Sequence, residues 1–360
     1  MASVEWGKYR IDDLFKIQTS AKRFDANKVN IIENGRYPYV VRTSSNNGQK
    51  GFLDENESFL NAENTISFGQ DTATIFYQEK PYFTGDKIKV LVPKVYKFNK
   101  KNAQFFLASM NIAFSKFSWG SSRFNVDVLK EQVIMLPTKC DSIDFEFMES
   151  FIEELEAERI EELEAYLSVS GLKDTQLTAD ELSALDKFNS IKWKKFNLET
   201  LFGKSTRGKR LKGDDRIGGN LPFVTAGETD EGISAFISND VEIFSSNTTT
   251  IDMFGSAKYR NYNYGADDHI AVVHTENLSK YAAIFVTSAC HKSAHNGDFS
   301  YSRNFYAKDA DKLYISLPVK NEQPDYELMS TLISAIQKLV IADVVKFSDE
   351  KIKATKQVVG

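Results

Sequence analysis

The chain repeats itself, and this duplication limits its possible folds more than any single motif does. Segment 4–15, VEWGKYRIDDLF, aligns with segment 191–202, IKWKKFNLETLF. Further matches follow in the same order in both halves: Lys22-Arg23 with Lys209-Arg210, Pro38-Tyr39-Val40 with Pro222-Phe223-Val224, Gly48 with Gly232, Asp86-Lys87-Ile88 with Asp268-His269-Ile270, Ser122-Arg123 with Ser302-Arg303, Leu136-Pro137 with Leu317-Pro318, and 144–148 with 325–329. Matches that keep their order indicate two duplicated structural units.

Each half is predicted to be a β-rich globular domain followed by a long helix. Short apolar runs such as TATIFY (72–77) and HIAVV (269–273) are separated by Gly, Asn, Asp and Ser clusters, which is typical of strands joined by turns. The predicted fold class is α+β, with two pseudo-repeated domains separated by two long antiparallel helices that form a coiled coil. The predicted boundaries are a first domain at 1–140, a first helix at 141–170, a linker at 171–190, a second domain at 191–320, a second helix at 321–347 and a C-terminal tail at 348–360.

The two predicted helices carry apolar side chains at spacings of three to five residues, the periodicity of an amphipathic helix. Asp144 is a candidate N-cap of the first helix, and Pro324-Asp325 opens the second. At 1.5 Å per residue each helix is roughly 36 Å long, more than a domain of this size needs, so we predict that the helices pack on each other. The predicted packing residues are Met148, Ile152, Leu155 and Leu163 on the first helix and Leu328, Leu332, Ile336 and Leu339 on the second.

The net charge of −5 hides an uneven distribution. Residues 141–167 hold eleven acidic side chains and one basic one, whereas 1–140 hold twenty basic and fourteen acidic, and 192–320 hold seventeen basic and fifteen acidic. The two predicted domains are therefore mildly basic, which is compatible with a nucleic-acid partner. The acidic helix is expected to face solvent or a basic partner protein.

The composition indicates a folded protein rather than a disordered or disulfide-framed one. Hydrophobic residues make up 42% of the chain, enough for a core. The two cysteines, Cys140 and Cys290, exclude a disulfide framework. No apolar run approaches the roughly 18 residues that a membrane span needs, and the N-terminus lacks an apolar signal core, so we expect a cytoplasmic protein.

Motifs for catalysis or cofactor binding are incomplete. Gly203-x-x-x-x-Gly208-Lys209 is close to a phosphate-binding loop, but Arg210 stands where a Ser or Thr would hold magnesium. The chain has neither G-x-G-x-x-G nor the N-P-P-Y type of run that adenine methyltransferases use. Cys290, His291 and His295 are candidate zinc ligands, but the first half has no counterpart. A loop that presents polar donors, or simply structural histidines, fits the context better, and we predict no cofactor and no metal in this chain.

Polar loops between the predicted strands carry the residue types that read DNA. Arg and Lys recognise guanine edges, Asn and Gln recognise adenine edges, and hydroxyl groups contact phosphates. Each loop alone is more often an ordinary solvated turn, but such loops recur at matched places in both halves with different residues. The candidate DNA-binding residues are Lys22, Arg23, Arg42, Ser44, Asn46, Asn47, Ser122, Arg123, Lys209, Arg210, Lys212, Glu228, Thr229, Lys258, Tyr259, Arg260, His291, Lys292 and Arg303. Tyr259 interleaves with basic residues in a way that suits stacking on bases.

The order of these features resembles a known family. The W-x-x-[YF]-x-[IL]-x-x-L-F openings at Trp6 and Trp193, the P-[YF]-V strands, the Leu-Pro exits and the helix after each domain are similar to the specificity (S) subunits of Type I restriction–modification enzymes. They are equally similar to the DNA-recognition subunits of Type IIB systems, and the sequence leaves that choice open. The resemblance covers nearly the entire chain. It implies two target-recognition domains and two separator helices packed as an antiparallel coiled coil.

The resemblance also implies how such a chain works. It would bind double-stranded DNA without catalysing a reaction, together with two copies of an adenine methyltransferase (M) subunit that uses S-adenosylmethionine. In Type I enzymes restriction (R) subunits that use ATP and Mg would join the complex. Half-sites one turn of B-DNA apart are about 34–36 Å from each other, close to the estimated helix length, so a bipartite target with a constant gap is expected.

Other functions remain open from the sequence. A stand-alone DNA-binding regulator would use the same loops without a methyltransferase partner. A tandem β module could bind carbohydrate or protein through Tyr-, Trp- and Asn-rich loops. A self-contained nuclease would need a cluster of carboxylates with a lysine, which we do not find in the sequence.

Overall fold

The computed structural model describes residues 4–115 and 126–359, with side chains up to Ala354. Ser122 and Arg123, two of the predicted DNA-binding residues, lie outside the described residues. The chain forms two compact units, Met1–Glu162 (unit 1) and Leu163–Gly360 (unit 2). The boundary falls within a helix, about twenty residues after the end predicted for the first domain.

Unit 1 contains ten strands and three helices within its described residues, and a fourth helix crosses the boundary. The strands are β1 (Glu5–Arg10), β2 (Phe15–Thr19), β3 (Tyr37–Val40), β4 (Gln49–Leu53), β5 (Thr65–Gly69), β6 (Ile75–Gln78), β7 (Phe83–Thr84), β8 (Ile88–Pro93), β9 (Val133–Lys139) and β10 (Ser142–Ile143). The helices are α1 (Ile11–Leu14), α2 (Ala103–Phe114), α3 (Val126–Glu131) and the boundary helix α4 (Phe145–Val169).

Unit 2 repeats this order and adds a helix before it. The strands are β11 (Trp193–Asn197), β12 (Thr206–Arg207), β13 (Gly218–Val224), β14 (Ile233–Ile237), β15 (Thr248–Asp252), β16 (Ala257–Arg260), β17 (Gly265–Ala266), β18 (Ile270–Val273), β19 (Tyr314–Lys320) and β20 (Gln323–Pro324). The helices are α5 (Ala179–Asp186), α6 (Leu198–Phe202), α7 (Lys280–Ala294), α8 (Ala307–Asp311) and α9 (Tyr326–Val359).

The sheets of the two units correspond strand by strand. Unit 1 has sheets in the orders β1-β9-β10, β2-β8-β5-β6 and β4-β3-β7, and unit 2 has β11-β19-β20, β12-β18-β15-β16 and β14-β13-β17. The register also corresponds, because Trp6 faces Pro137 in unit 1 and Trp193 faces Pro318 in unit 2. The predicted duplication and the α+β class are therefore confirmed.

Each unit has its own hydrophobic core, which includes the helix that follows the last strand of its four-stranded sheet. In unit 1, α2 places Phe106 edge-on against Phe15 and Phe98, with ring centroids 5.7 and 5.2 Å apart. In unit 2 the corresponding helix α7 buries the smaller side chains of Val286 and Cys290. Burial raises the pKa of the Cys290 thiol to about 12, so this cysteine is a neutral core residue.

Both long helices begin where the sequence places their caps. The Asp144 carboxylate accepts a hydrogen bond from the Phe147 amide at 3.0 Å, and Asp325 accepts one from Leu328 at the same distance. A carboxylate in this position satisfies an amide that has no partner within the helix. The predicted N-cap role of Asp144 is thus present in the structure, and unit 2 repeats it.

The segments around the helices differ from the sequence expectation. Helix α9 continues to Val359, so most of the predicted tail at 348–360 is helical. The predicted linker at 171–190 contains the helix α5, which Thr178 opens with a capping box. A segment rich in Asp, Ser, Thr and Leu is read as a linker from composition, but the capping box and contacts with α9 make it helical.

The predicted packing residues of the long helices divide into buried and exposed groups. Met148 and Leu332 are buried in units 1 and 2, respectively. Leu155, Ile336 and Leu339 are 36, 44 and 54% exposed. Ile152, Leu163 and Leu328 are half-buried. The antiparallel coiled coil therefore stays a prediction.

By length and composition α9 is also apolar enough over Tyr326–Ala354 to cross a membrane, which the sequence reading did not anticipate. Core helices of soluble proteins meet the same criterion. Met329, Leu332 and Ala335 of α9 are buried within unit 2, but only 22% of its most apolar 18-residue window is buried.

Candidate nucleic-acid interface

Unit 1 has a cleft of about 990 Å³ between the loops that follow β2, β3 and β7. Tyr39 of β3, a strand that pairs in parallel with β7, lines the cleft and donates its hydroxyl to the Phe24 carbonyl at 2.6 Å. Polar and charged side chains dominate the rim of the cleft: Arg23, Asp25, Asn27, Arg42, Thr43, Ser45, Gln49, Lys50, Thr72 and Asp86. The structure thus brings Arg23 and Arg42, which are distant in the sequence, to one site.

Arg42 is held in the cleft by an acidic residue that the sequence analysis missed. Arg42 Nη1 lies 2.5 Å from Asp71 Oδ2, and Lys87 Nζ lies 2.7 Å from the same oxygen. The hydrogen bond from Lys87 is the largest cause that lowers the pKa of Asp71, and the charges of Lys87 and Arg42 add to it, while burial opposes them. Asp71 therefore stays ionised between two cations.

Two other basic residues at this end of unit 1, Arg23 and Lys22, also have partners. Arg23 Nη1 contacts Asp86 Oδ1 at 3.2 Å, with both side chains more than half exposed. Lys22 lies over the rings of Phe24 and Phe59, 4.5 and 4.8 Å from their centroids. Lys22 is outside the residues that line the cleft.

The polar loop at 44–48 forms a tight tip beside the cleft. Asn46 and Asn47 adopt positive φ angles of 48 and 53°, a conformation that asparagine tolerates better than most residues. Asn47 donates to the Tyr77 carbonyl at 3.0 Å, and Gln78 donates to the Asn47 carbonyl at 3.3 Å. Ser44 is exposed. The tip is therefore fixed to β6, with Ser44 and Asn46 facing outward from the protein core.

Backbone bonds define which residues of unit 2 correspond to the cleft. The Lys209 amide donates to the Ala266 carbonyl as the Phe24 amide donates to Thr84. Arg23 therefore corresponds to Gly208, and the sequence pairing of Lys22-Arg23 with Lys209-Arg210 is wrong by two residues. A Cβ atom at Gly208 would lie 1.7 Å from the Ala266 carbonyl oxygen, so no arginine fits there without a backbone shift.

The predicted basic residues of this segment surround a separate cleft of about 610 Å³. Lys209 and Arg210 line it together with Asp240 and Glu242. Lys212 is exposed just beyond them. Basic and acidic side chains thus line the same cleft.

The second tip, Thr229–Gly232, has the backbone of the first but different side chains. The amide of Thr225 donates to the Gly232 carbonyl at 2.8 Å, as Val41 does to Gly48. Asp230 and Glu231, with φ of 48 and 55°, therefore correspond to Asn46 and Asn47. The predicted residues Glu228 and Thr229 precede this pair and correspond to Ser44 and Ser45.

The segment Lys258-Tyr259-Arg260, predicted to be a DNA-binding loop, is part of strand β16. Lys258 is 15% exposed and pairs with Glu228 at 3.3 Å. The Tyr259 hydroxyl donates to Asn247 at 2.9 Å. Arg260 is 1% exposed and bonds the Thr250 and Tyr262 hydroxyls at 2.9 Å each. Their loop assignment was wrong, because alternating basic and aromatic residues are also a strand pattern.

The predicted histidine loop is largely helical. Helix α7 runs to Ala294 and includes His291 and Lys292. His291 Nδ1 accepts a hydrogen bond from the Ala257 amide at 3.2 Å, and its ring stacks on His295 with centroids 4.7 Å apart. This supports the structural role that the sequence left open for His291. Lys292 is exposed on the helix.

Arg303 is exposed and lies over the Phe299 ring at 5.3 Å.

Among the described residues, a group of side chains that could ligate a metal ion consists of Asp267, Asp268 and His269, whose potential ligand atoms lie within 4.8 Å of one another. These positions correspond to Gly85, Asp86 and Lys87 of unit 1. His269 Nδ1 lies 3.2 Å from Asp268 Oδ1.

Comparison with known proteins identifies the repeated unit. The model of the Type I restriction modification DNA specificity domain matches twice, at residues 3–165 and 190–346. The chain belongs to this family. Specificity subunits are the non-catalytic DNA-recognition chains of restriction–modification complexes, in which they act with methyltransferase subunits. This specificity chain is therefore a DNA-recognition chain rather than an enzyme.

Individual relatives agree with the family assignment. The specificity chain is 26% identical over 346 residues to the Type II restriction enzyme specificity subunit S.BcgI of Heyndrickxia coagulans, covering 94% of this chain and 96% of the relative. Its fold is similar to the S subunit of a Type I system from M. genitalium, with a TM-score of 0.62, 17% identity and coverage of 99% and 95% of the two chains.

The carboxylates that pair with the cleft arginines were not predicted as site residues from the sequence. Asp71 lies in a turn between β5 and β6, and nothing in its local pattern indicates a contact with Arg42, 29 residues earlier. Asp86 did appear, as part of a matched Asp-Lys-Ile and Asp-His-Ile pair. The recurrence of an aspartate at this position in both halves could have marked Asp86 as a site residue, but it served only to align the two halves.

Proposed function

We propose that this specificity chain reads a bipartite DNA target, with unit 1 and unit 2 each recognising one half. The observation that carries the proposal is the strand-by-strand duplication of the units combined with different side chains at matched tips, Asn46-Asn47 against Asp230-Glu231. Amide and carboxylate groups bind different base edges. Two units that share a backbone fold but carry different side chains at their tips could recognise two half-sites of different sequence.

The gap between the half-sites would be set by the long helices packed as an antiparallel coiled coil. Helices α4 and α9 have 25 and 34 residues, or roughly 37 and 51 Å at 1.5 Å per residue. Within unit 2, Ser348 of α9 donates to Glu164 of α4 at 3.4 Å, and Lys173 pairs with both Glu164 and Asp349. This contact supports pairing of the helices.

The chemistry would come from partner subunits. Two adenine methyltransferase subunits, each using S-adenosylmethionine, would be positioned by the two units, and a nuclease partner of the Type I kind would add ATP and Mg. This chain would hold no cofactor or metal itself and would act in the cytoplasm, where the DNA is. The similarity to a Type II specificity subunit leaves both Type I and Type IIB assemblies as arrangements to test.

A domain exchange tests the bipartite reading. Residues 191–320 are replaced by the corresponding segment of a relative, and the variant is expressed with its methyltransferase in a host that lacks other adenine methylation. Single-molecule sequencing should find that one half of the methylated sequence changes while the other half and the gap are kept. A change in both halves, or in neither, would contradict the proposal.

A further inference from the structure

The two arginines that line the unit 1 cleft are each tied to a carboxylate. Asp71 Oδ2 accepts from Arg42 at 2.5 Å and from Lys87 at 2.7 Å, and Asp86 lies 3.2 Å from Arg23. The Arg42 pair is the more protected, since about a third of each side chain is exposed, against more than half for the Arg23 pair. Asp71 is therefore the stronger of the two restraints.

A restrained arginine binds DNA differently from a free one. A free guanidinium moves readily to a phosphate, which adds affinity but carries no sequence information. A carboxylate on one of the five N–H donors offsets part of the positive charge and restricts the movement of the guanidinium group, while the other donors remain available. A fixed guanidinium suits the bidentate contact with guanine O6 and N7 in the major groove.

We propose that Asp71 is a positioning residue for sequence recognition: it makes Arg42 a reader of guanine in the half-site bound by unit 1, rather than a phosphate clamp. The inference rests on the proposed DNA-reading function of the cleft. Asp86 acts in the same way, more weakly, on Arg23. The class of ligand is thus a duplex half-site that contains guanine.

Unit 2 offers an internal comparison. The backbone bonds that match Val41 with Thr225 and Phe24 with Lys209 place Ala226 at the position of Arg42 and Gly208 at that of Arg23. Neither restrained arginine has a counterpart in unit 2. Changes at Asp71 therefore affect discrimination in one half-site and leave the other half-site as a reference within the same molecule.

The test uses the full chain with its methyltransferase subunits and the duplex target found by methylation sequencing. Binding is measured at several salt concentrations for this duplex, for single-base variants of each half, and for random duplex. In Asp71→Asn the freed Arg42 and Lys87 should raise affinity for random duplex and steepen the salt dependence by about one unit of slope. Discrimination at a guanine of the unit 1 half-site should fall about ten-fold, with no change at the unit 2 half-site.

Two further variants separate positioning from charge and from folding. Arg42→Ala should lose the same discrimination without a gain in random binding, and 7-deazaguanine at the read position should weaken the wild type but not Arg42→Ala. Glu57→Gln is the matched control, because it frees Arg36 (3.1 Å from Glu57) with the same charge change outside the cleft lining, and discrimination should stay unchanged. Thermal unfolding of each variant checks that unit 1 remains folded.

Distinct outcomes overturn distinct claims. If the wild type discriminates but Asp71→Asn discriminates equally well, or loses specific and random binding alike, the positioning role is wrong. A unit 1 half-site without guanine would also overturn it. If the wild-type complex shows no sequence preference at all, the proposed function itself fails.

Discussion

Glu181 carries a charge at a position with little access to water. It is 5% exposed, and its carboxylate accepts hydrogen bonds from the Thr178 amide at 2.7 Å, the Ser334 hydroxyl at 2.6 Å and Lys338 at 3.1 Å. Burial raises the pKa of Glu181, but these hydrogen bonds and the Lys338 charge outweigh it and lower the pKa to about 2. A single side chain therefore fastens α5 to α9.

The stability of unit 2 should depend on the ionisation of Glu181. Its pKa falls from the ordinary 4.5 to about 2 on folding, so the ionised form stabilises the fold above pH 4.5, and this contribution is lost as the pH falls towards 2. Glu181→Gln should lower the free energy of unfolding at pH 7 by about 1–3 kcal/mol. Urea unfolding is measured at pH 7, 4 and 3. The difference in unfolding free energy between wild type and Glu181→Gln should become smaller as the pH falls. A difference that stays constant would contradict the ionic role.

Gly208 is required by a close approach of two backbones. An added Cβ would lie 1.7 Å from the Ala266 carbonyl oxygen, a rigid neighbour. Gly208→Ala should therefore destabilise unit 2 by about 1–3 kcal/mol. Gly213→Ala is the control, because a Cβ there meets nothing within 4 Å, and it should leave the denaturation midpoint close to that of the wild type.

At the scale of elements, the sequence predicted what local chemistry determines. Strand periodicity, the cap at Asp144 and the matched openings at Trp6 and Trp193 were all recognisable, because each depends on neighbours in the sequence. The strand at Lys258–Arg260 was taken for a loop, and the end of α9 was placed too early. Both depend on tertiary contacts, such as the burial of Arg260 and Ser348, that composition does not reveal.

The candidate site was predictable to a similar extent. Arg23 and Arg42 were identified from residue type, and the structure brings them to one cleft. Their partners Asp71 and Asp86 come from other loops, between β5 and β6 and after β7, and the meeting of these loops is a tertiary contact that the sequence does not reveal. The candidates Glu228 and Thr229 missed the acidic tip Asp230-Glu231 by one or two positions, although the match of Gly48 with Gly232 had already aligned the two tips.

The helix caps give an element-scale prediction. Replacing Asp144 or Asp325 by Ala leaves the first-turn amide of α4 or α9 without its partner, which should cost about 1 kcal/mol each. Glu327→Ala, in the same first turn but with an exposed pair to Lys320 at 3.4 Å, should change stability much less. Equal losses for Asp325→Ala and Glu327→Ala in chemical unfolding would mean that general electrostatics, not the cap, stabilises α9.

For the whole molecule, two separate cores imply two separable unfolding events. The core of unit 1 contains Phe15, Phe106 and Met148, and that of unit 2 contains Cys290, Leu317 and Met329. We expect calorimetry to resolve two transitions, of which Gly208→Ala lowers the temperature of one. If a single transition moves as a whole, the units unfold as one cooperative block.

The pairing of β1 with β9 has a consequence for how the chain matures. Glu5 lies opposite Thr138, and in unit 2 Trp193 lies opposite Pro318, so each unit is closed by joining its first strand to nearly its last. Such long-range closure is slow. During translation we expect unit 1 to stay open at least until residue 139 has left the ribosome, because β9 supplies the pairing partner of β1. We therefore expect the two halves to close one after the other, in the order in which they are synthesised.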